Sequence, residues 1–288
     1  PAAARAAEAV VREGVVPLAV GLGTCCLSGV ESERQVLDGL AAGYRLVDTA
    51  SHYGNEAAVA AALKKSGVRR SEVMLVTKIW YDDMGPNASA AINRSLTELG
   101  TDYVDLLLMH FPGSIDAMQS PSANRQRRYD TWRCMEDAQR IGVARQIGVS
   151  NFTRRHLKDI FSFCHDPPAV LQLEVHPYFQ QTELIEYCRD EGLQLMAQSP
   201  LANGQLGLLN NKVLAQIAMA HGRTPAQVAL RWLLQLGIPP VAFSTSPERL
   251  RENLSAADGS FTLTEDEMSQ ISFLDRNKRV GFDPNLIA

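Results

Sequence analysis

Val104-Asp-Leu-Leu-Leu-Met109 runs straight into His110, and this stretch decides how the chain is read. Its apolar residues follow one another without clean alternation and stop at a length that suits a strand better than a helix. Such a run reads as a parallel strand covered on both faces. Working outward from 104–110, similar runs recur at residues 19–24, 46–50, 73–78, 145–149, 170–175, 194–198 and 240–244. The gaps between them leave room for a helix in each crossover. Val36, Leu37, Leu40 and Ala41 keep a helical spacing, and Ser32 with Gln35 offers a capping box ahead of them. Thr224, Pro225 and Gln227 give a cap, a first-turn proline and a reciprocal glutamine before Val228, Trp232 and Leu233. Thr264 and Glu267 repeat the signal.

Parallel strands joined by helical crossovers either close into a barrel or spread into a doubly wound sheet. A barrel of eight such units needs about 250 residues, and no Pro/Gly/Ser linker divides this chain of 288 residues. The expectation is an α/β fold, one (β/α)8 TIM barrel domain over residues 1–288, with extra loops and helices at its C-terminal end. Residues 10–12 and 15–19 flank Glu13-Gly14 and read as a short β-hairpin closing the bottom.

Function is argued from what stands at the strand ends. Asp48, Lys78, His110, Ser150, Asn151, Gln172, Gln198, Ser199 and Ser244 all fall at or just past the C-terminal ends of strand candidates. In an α/β barrel those ends share one rim, where active sites are built. A lysine leaving a buried strand is costly to desolvate without a carboxylate, and Asp48 is the candidate partner. Tyr53 follows on the loop after Asp48. A phenol ordinarily loses its proton near pH 10, and a neighbouring ammonium would ease that loss. Taken singly, a loop tyrosine or a strand-end histidine has an ordinary structural reading. Together they suit proton transfer to a carbonyl oxygen.

Composition narrows the classes. A net charge of −4 argues against nucleic acid as main partner. Arg125, Arg127 and Arg128 lie in a polar stretch that reads as a solvated loop. The five cysteines, Cys25, Cys26, Cys134, Cys164 and Cys188, form no regular framework, so a reducing, cytoplasmic setting is expected. No HExxH or CxxC motif supports a metal site, and no GxSxG elbow supports a hydrolase. Apolar runs are too short to span a bilayer. The expectations are therefore no metal, no membrane and no nucleic acid, with the protein acting as a monomer on a small molecule.

Longer motifs carry a resemblance. Gly43-Tyr-Arg-Leu-Val-Asp-Thr-Ala-Ser-His-Tyr-Gly-Asn-Glu56, Thr77-Lys-Ile-Trp80, Leu107-Leu-Met-His-Phe-Pro112, Gly148-Val-Ser-Asn-Phe152, Gln172-Leu-Glu-Val-His-Pro-Tyr178 and residues 244–253 occur in this order. The series resembles the aldo-keto reductase superfamily over residues 14–284. That resemblance implies reduction of an aldehyde or ketone by NAD(P)H, with a catalytic set of Asp48, Tyr53, Lys78 and His110. Tyr53 would donate the proton, Lys78 held by Asp48 would lower its pKa, and His110 would orient the carbonyl. It further implies that Ser150, Asn151 and Gln172 hold the nicotinamide carboxamide. Thr24, Ser199 and Leu201 would line the pyrophosphate and ribose path, with Ser244 beside it. Arg249, Glu252 and Asn253 would meet the adenosine end. Gly21-Leu-Gly23-Thr-Cys-Cys26 lacks the third glycine of a Rossmann turn, which agrees with a dinucleotide site of another kind.

The chain departs from the family at several positions. Gln198 stands where many members stack a tyrosine on the nicotinamide, and Phe243 where a lysine usually meets the ribose 2′-phosphate. Arg249 remains, so NADP(H) is favoured, with NAD(H) or dual use as the other outcome. Cys25 and Phe111 stand where tryptophans are common, while Trp80 is retained. With His110, these three form the expected substrate wall, and the smaller side chains predict a roomier apolar pocket. A dinucleotide-binding barrel without turnover, regulatory or structural, is the rival reading.

Overall fold

The computed structural model describes residues 15–114 and 118–288. Eight strands form the centre: β1 (Gly21–Gly23), β2 (Leu46–Asp48), β3 (Met74–Ile79), β4 (Val104–Met109), β5 (Ala144–Ser150), β6 (Val170–Glu174), β7 (Gln194–Gln198) and β8 (Pro240–Ala242). Each pairs in parallel with the next and β8 returns to β1, so the sheet closes into a barrel and not an open sheet. All eight lie on the runs read from the sequence.

The crossovers are α1 (Gly29–Ala42), α2 (Glu56–Ser66), α3 (Ala88–Leu99), α4 (Pro121–Arg140), α5 (Arg154–Phe161) and α6 (Thr182–Asp190). Between β7 and β8 there are two helices, α7 (Lys212–His221) and α8 (Pro225–Gln235); after β8 come α9 (Pro247–Leu254) and α10 (Glu265–Ser272). The caps expected at Thr224 and Thr264 are present, each accepting a backbone N–H from the third helical residue. The cap expected at Ser32 is not. Helix α1 begins a turn earlier, with Ser28 as N-cap donating to the Glu31 carboxylate over 2.7 Å. Ser32 and Gln35 are buried inside it, and Gln35 Nε2 instead donates to the carbonyls of Gly23 and Ser244, 3.0 Å each. The arginine-rich stretch is also no loop. Arg125, Arg127 and Arg128 belong to α4, and the buried Arg128 pairs with Asp159 at 2.7 Å.

Two apolar layers follow from strand alternation. Leu46, Val76, Leu106, Leu108, Val170, Met196 and Val241 fill the barrel interior. Residues of opposite phase, such as Val47, Leu75, Leu107 and Leu171, pack outward with Trp132, Leu157 and Trp232 from the helices. Each such fully buried side chain stabilises by about 1.5–3 kcal/mol. At the bottom, Val16 joins the interior layer. Its N–H donates to Gln194 Oε1 at 2.8 Å and its carbonyl accepts from Gln194 Nε2 at 2.6 Å. The plug is thus real, but residues 15–19 are bends and not the second arm of a hairpin. Residues 10–14, the expected first arm and turn, lie outside the described residues.

Candidate active site at the barrel mouth

The same period of two lifts polar groups above the apolar filling. Asp48 is in phase with Leu46, Lys78 with Val76, His110 with Leu106 and Leu108, Gln172 with Val170, and Gln198 with Met196. Lys78 Nζ donates to Asp48 Oδ1 at 2.5 Å and to the Thr49 carbonyl at 2.9 Å. The other oxygen, Asp48 Oδ2, accepts from Gln172 Nε2 at 2.7 Å. The lysine side chain has no exposed surface and the aspartate 6%, so this is a desolvated pair held by further hydrogen bonds, the condition under which burial of charge is tolerable.

Tyr53 sits on a 3-10 turn, Ser51–Tyr53, directly after β2. The turn is tied back by Ser51 Oγ donating to the Lys78 carbonyl at 3.0 Å. Asn55 clamps the same loop: it accepts from Thr49 Oγ1 at 2.7 Å and donates to the Thr24 carbonyl at 2.8 Å. Lys78 Nζ lies 5.2 Å from the Tyr53 ring centre, and the Tyr53 and His110 rings meet edge to face at 5.7 Å. Burial, then the charge of Asp48, holds the Tyr53 phenol well above its ordinary pKa. This corrects the expected direction: Lys78, already paired with Asp48, does not bring the resting phenol down. Burial, followed by the charges of Lys78 and His52, holds His110 well below the ordinary imidazole value. His110 is therefore neutral, and its buried Nδ1 has no hydrogen-bond partner among the described residues.

A groove of about 670 Å³ opens beside Tyr53 and Asp48 and extends to α9. Of the residues expected to meet a dinucleotide, it is lined by Asp48, Gln198, Ser199, Leu201, Ser244, Arg249, Glu252 and Asn253. Thr24 does not line it; its hydroxyl is turned inward onto the Asp48 carbonyl at 3.1 Å. Ser150, Asn151 and Gln172 also stay behind the lining. Gln198, shorter than an aromatic ring, folds onto them, its Nε2 donating to Asn151 Oδ1 at 2.6 Å, while Asn151 Nδ2 donates to the His110 carbonyl at 3.0 Å. Arg249, exposed and without an ion-pair partner among the described residues, projects from the first turn of α9. A guanidinium at the positive end of a helix is a fit place for phosphate. Phe243, 47% exposed, lines the groove beside it.

On the other side of His110 the walls are aromatic. Trp80 meets His110 at 4.9 Å and Phe111 at 5.5 Å. His52 stacks on Trp80 at 3.7 Å, and Phe282 from the tail meets Phe111 at 5.7 Å. His52, Cys26 and Asn203 were missed in the sequence, which marks Phe282 only as part of a 281–288 tail framing the pocket. Phe282 follows a segment whose Val280 and Gly281 amides are captured by Glu174, at 2.7 and 2.8 Å, a contact over more than a hundred residues with no local signature. One signal of another kind marks the region. Cys26, Asn151, Ser199, Ala202 and Asn203 all have positive φ, and such strained non-glycine residues gather at functional sites.

Residues 19–276 match the aldo/keto reductase family. The chain is 45% identical over 267 residues to an aldo-keto reductase of Mycolicibacterium vanbaalenii, covering 92% of this chain and 91% of that one. It is 40% identical over 259 residues to the glyoxal reductase of Bacillus subtilis, covering 90% and 88%. The crystal structure of a Bombyx mori aldo-keto reductase in complex with NADP superposes with a TM-score of 0.84 at 32% identity, over 93% of this chain and 92% of that one. This chain belongs to the aldo/keto reductase family. Among the described residues, no helix is long and apolar enough to cross a membrane.

Proposed function

We propose that the protein reduces an aldehyde or ketone to the alcohol, using a reduced nicotinamide dinucleotide held in the groove beside Tyr53. The observation that carries the reading is the convergence of Tyr53, His110 and the Lys78–Asp48 pair at the head of that groove. The groove suits a dinucleotide in its donors: Ser199, Ser244 and Asn253 along its length and Arg249 at the far end. When bound, the reduced nicotinamide supplies the hydride. The rest falls to the chain. Neutral His110 can give one hydrogen bond to the substrate oxygen and so fix which way the carbonyl faces. Tyr53, kept protonated at neutral pH, gives its proton as charge builds on that oxygen, since an alkoxide is a far stronger base than a phenolate. Lys78 beside the ring then offsets the charge left on the phenol oxygen. The aromatic walls exclude water and favour an apolar carbonyl; the name of the Bacillus subtilis relative supports an aldehyde.

Tyr53→Phe removes the proton donor and little else. Its turnover should fall by roughly 10²–10⁴, with dinucleotide binding, followed by quenching of intrinsic fluorescence, close to unchanged. Wild-type turnover in that variant would remove Tyr53 from the mechanism. NADP(H) is the favoured cofactor, supported by Arg249 and by the NADP complex of the Bombyx mori relative. Phe243 adds no charge, so the preference over NAD(H) should be modest. Phe243→Lys should tighten NADPH by about tenfold, the effect of one charge-assisted contact of about 1.4 kcal/mol, and leave NADH alone. Equal gains for both cofactors would show that the lysine does not meet the 2′-phosphate.

A further inference from the structure

The loop from β1 to α1 carries two adjacent thiols. Cys25 is half-buried and Cys26 exposed, their sulfurs 2.6 Å apart. Both line the groove together with Tyr53 and Asp48. Nothing in the reduction chemistry uses them as thiols. Among the described residues, Cys134, Cys164 and Cys188 lie elsewhere, on α4, before β6 and on α6, so the pair is set apart by position as well as by spacing.

We propose that Cys25 and Cys26 are a reversible oxidation site for hydroperoxides, closing into a vicinal disulfide that slows carbonyl reduction at the neighbouring Tyr53. The inhibition rests on the function proposed above; the oxidation site does not. Cys26, the exposed sulfur, is the one a peroxide reaches. Its thiolate attacks one peroxide oxygen, the O–O bond breaks, and the other oxygen leaves with a proton as water or an alcohol. The sulfur, oxidised by two electrons, becomes a sulfenic acid. The Cys25 sulfur then displaces hydroxide from it, the Cys25 proton leaving with that hydroxide as water, and an S–S bond forms. A dithiol reverses the step by exchange and is itself oxidised to a disulfide. Burial, then the hydrogen bond with Cys26, pushes the Cys25 thiol up to about 12, which suits a resolving group that stays protonated until its neighbour is activated.

The link to Tyr53 is mechanical. Neighbouring Cα atoms are about 3.8 Å apart, closer than the roughly 4.4–6.8 Å of an ordinary disulfide. Closing the ring therefore twists the backbone between the two residues. Cys26 already has φ of 69°, and the loop continues directly from Gly23 and Thr24, whose backbone N–H is bonded to the Asp48 carbonyl at 3.1 Å. A twist there shifts the groove wall next to Asp48 and Tyr53. A displacement of about 1 Å near reacting groups can cost on the order of 100-fold in rate.

The test treats the full chain with hydrogen peroxide and reads two things: the peptide spanning Cys25 and Cys26 by mass spectrometry, and kcat/KM for an aldehyde relative to each sample's own reduced form. The expected result is loss of two hydrogens confined to that peptide. Activity should fall by up to about 100-fold and return with dithiothreitol. Cys25→Ser should instead accumulate a Cys26 sulfenic acid that a cyclic 1,3-diketone probe labels. Free thiols on that peptide after treatment, or a disulfide between other cysteines, would overturn the site. A disulfide at this pair with unchanged kcat/KM would overturn the inhibition. A reduced protein with no turnover that still forms the disulfide would count against the reductase reading and leave the site standing.

Discussion

Lys78 is an ammonium with no exposed side-chain surface, and one carboxylate, 2.5 Å away, makes it tolerable. Asp48→Asn keeps the shape of that partner but removes its charge and puts an NH2 donor where one of the two oxygens accepts from Lys78 or Gln172. Breaking a buried pair by taking one member leaves the other uncompensated, at a cost of about 3–5 kcal/mol. The variant should lose about that much in urea denaturation at neutral pH, and turnover with it, because the partner that holds Lys78 beside Tyr53 would no longer be an anion. An intact denaturation midpoint would mean that the Thr49 carbonyl alone suffices to hold the charge. Gln198 shows the same logic with smaller stakes. Its amide, standing where an aromatic face was expected, is spent on Asn151 at 2.6 Å, so the wall of the groove is built from hydrogen bonds instead of a ring.

At the scale of strands and helices, what the sequence disclosed was the strand positions, because runs such as 104–110 and 170–175 have no other economical reading. The mouth residues came with them: once strands are parallel and alternate, Asp48, Lys78, His110 and Gln172 must share one rim. The start of α1 was misjudged because Ser32 and Gln35 look like caps locally. Their burial comes from packing under β1 and β8, and Gln35 bonds to residue 244, far away in sequence. Tyr53's direction of pKa shift was misjudged for a related reason, since desolvation depends on how much of the fold covers the ring. Gly148 illustrates another constraint invisible in one strand. A Cβ there would lie 2.5 Å from the Val170 carbonyl oxygen of β6 and 2.9 Å from Leu108 Cδ2. Gly148→Ala should therefore cost about 1–3 kcal/mol by overpacking, read as a lowered thermal midpoint; a neutral outcome would show that β5 and β6 can part far enough to clear the Val170 carbonyl.

Across the whole molecule, the C-terminal segment is fastened to the barrel at points far apart in sequence. Glu174 takes the Val280 and Gly281 amides, Arg128 and Arg155 donate to the last carbonyls, and the buried Ile287 carbonyl meets His156 Nε2 at 2.9 Å. The opposite ring nitrogen, Nδ1, faces the Thr153 N–H at 3.2 Å, so it must accept and the ring is neutral, with Nε2 carrying the proton. Burial, despite the bond to Ile287 and aided by the charges of Arg128 and Arg155, lowers the His156 pKa from 6.5 to about 4. An imidazole with a depressed folded pKa takes up a proton more readily once the chain unfolds. The stability it lends is whole above pH 6.5 and drains away as pH falls towards 4, by up to about 3 kcal/mol at the lower end. His156→Gln has no group to titrate there. Urea midpoints measured between about pH 7 and pH 4 should fall more steeply for the wild type than for this variant. Equal slopes would mean that a charged imidazole is tolerated at that position and that the tail is released by something else. Because Phe282 in the same segment rests on Phe111, loosening of the tail by acid should also open the aromatic wall. KM for an apolar aldehyde should then rise over the same pH range in the wild type and not in the variant.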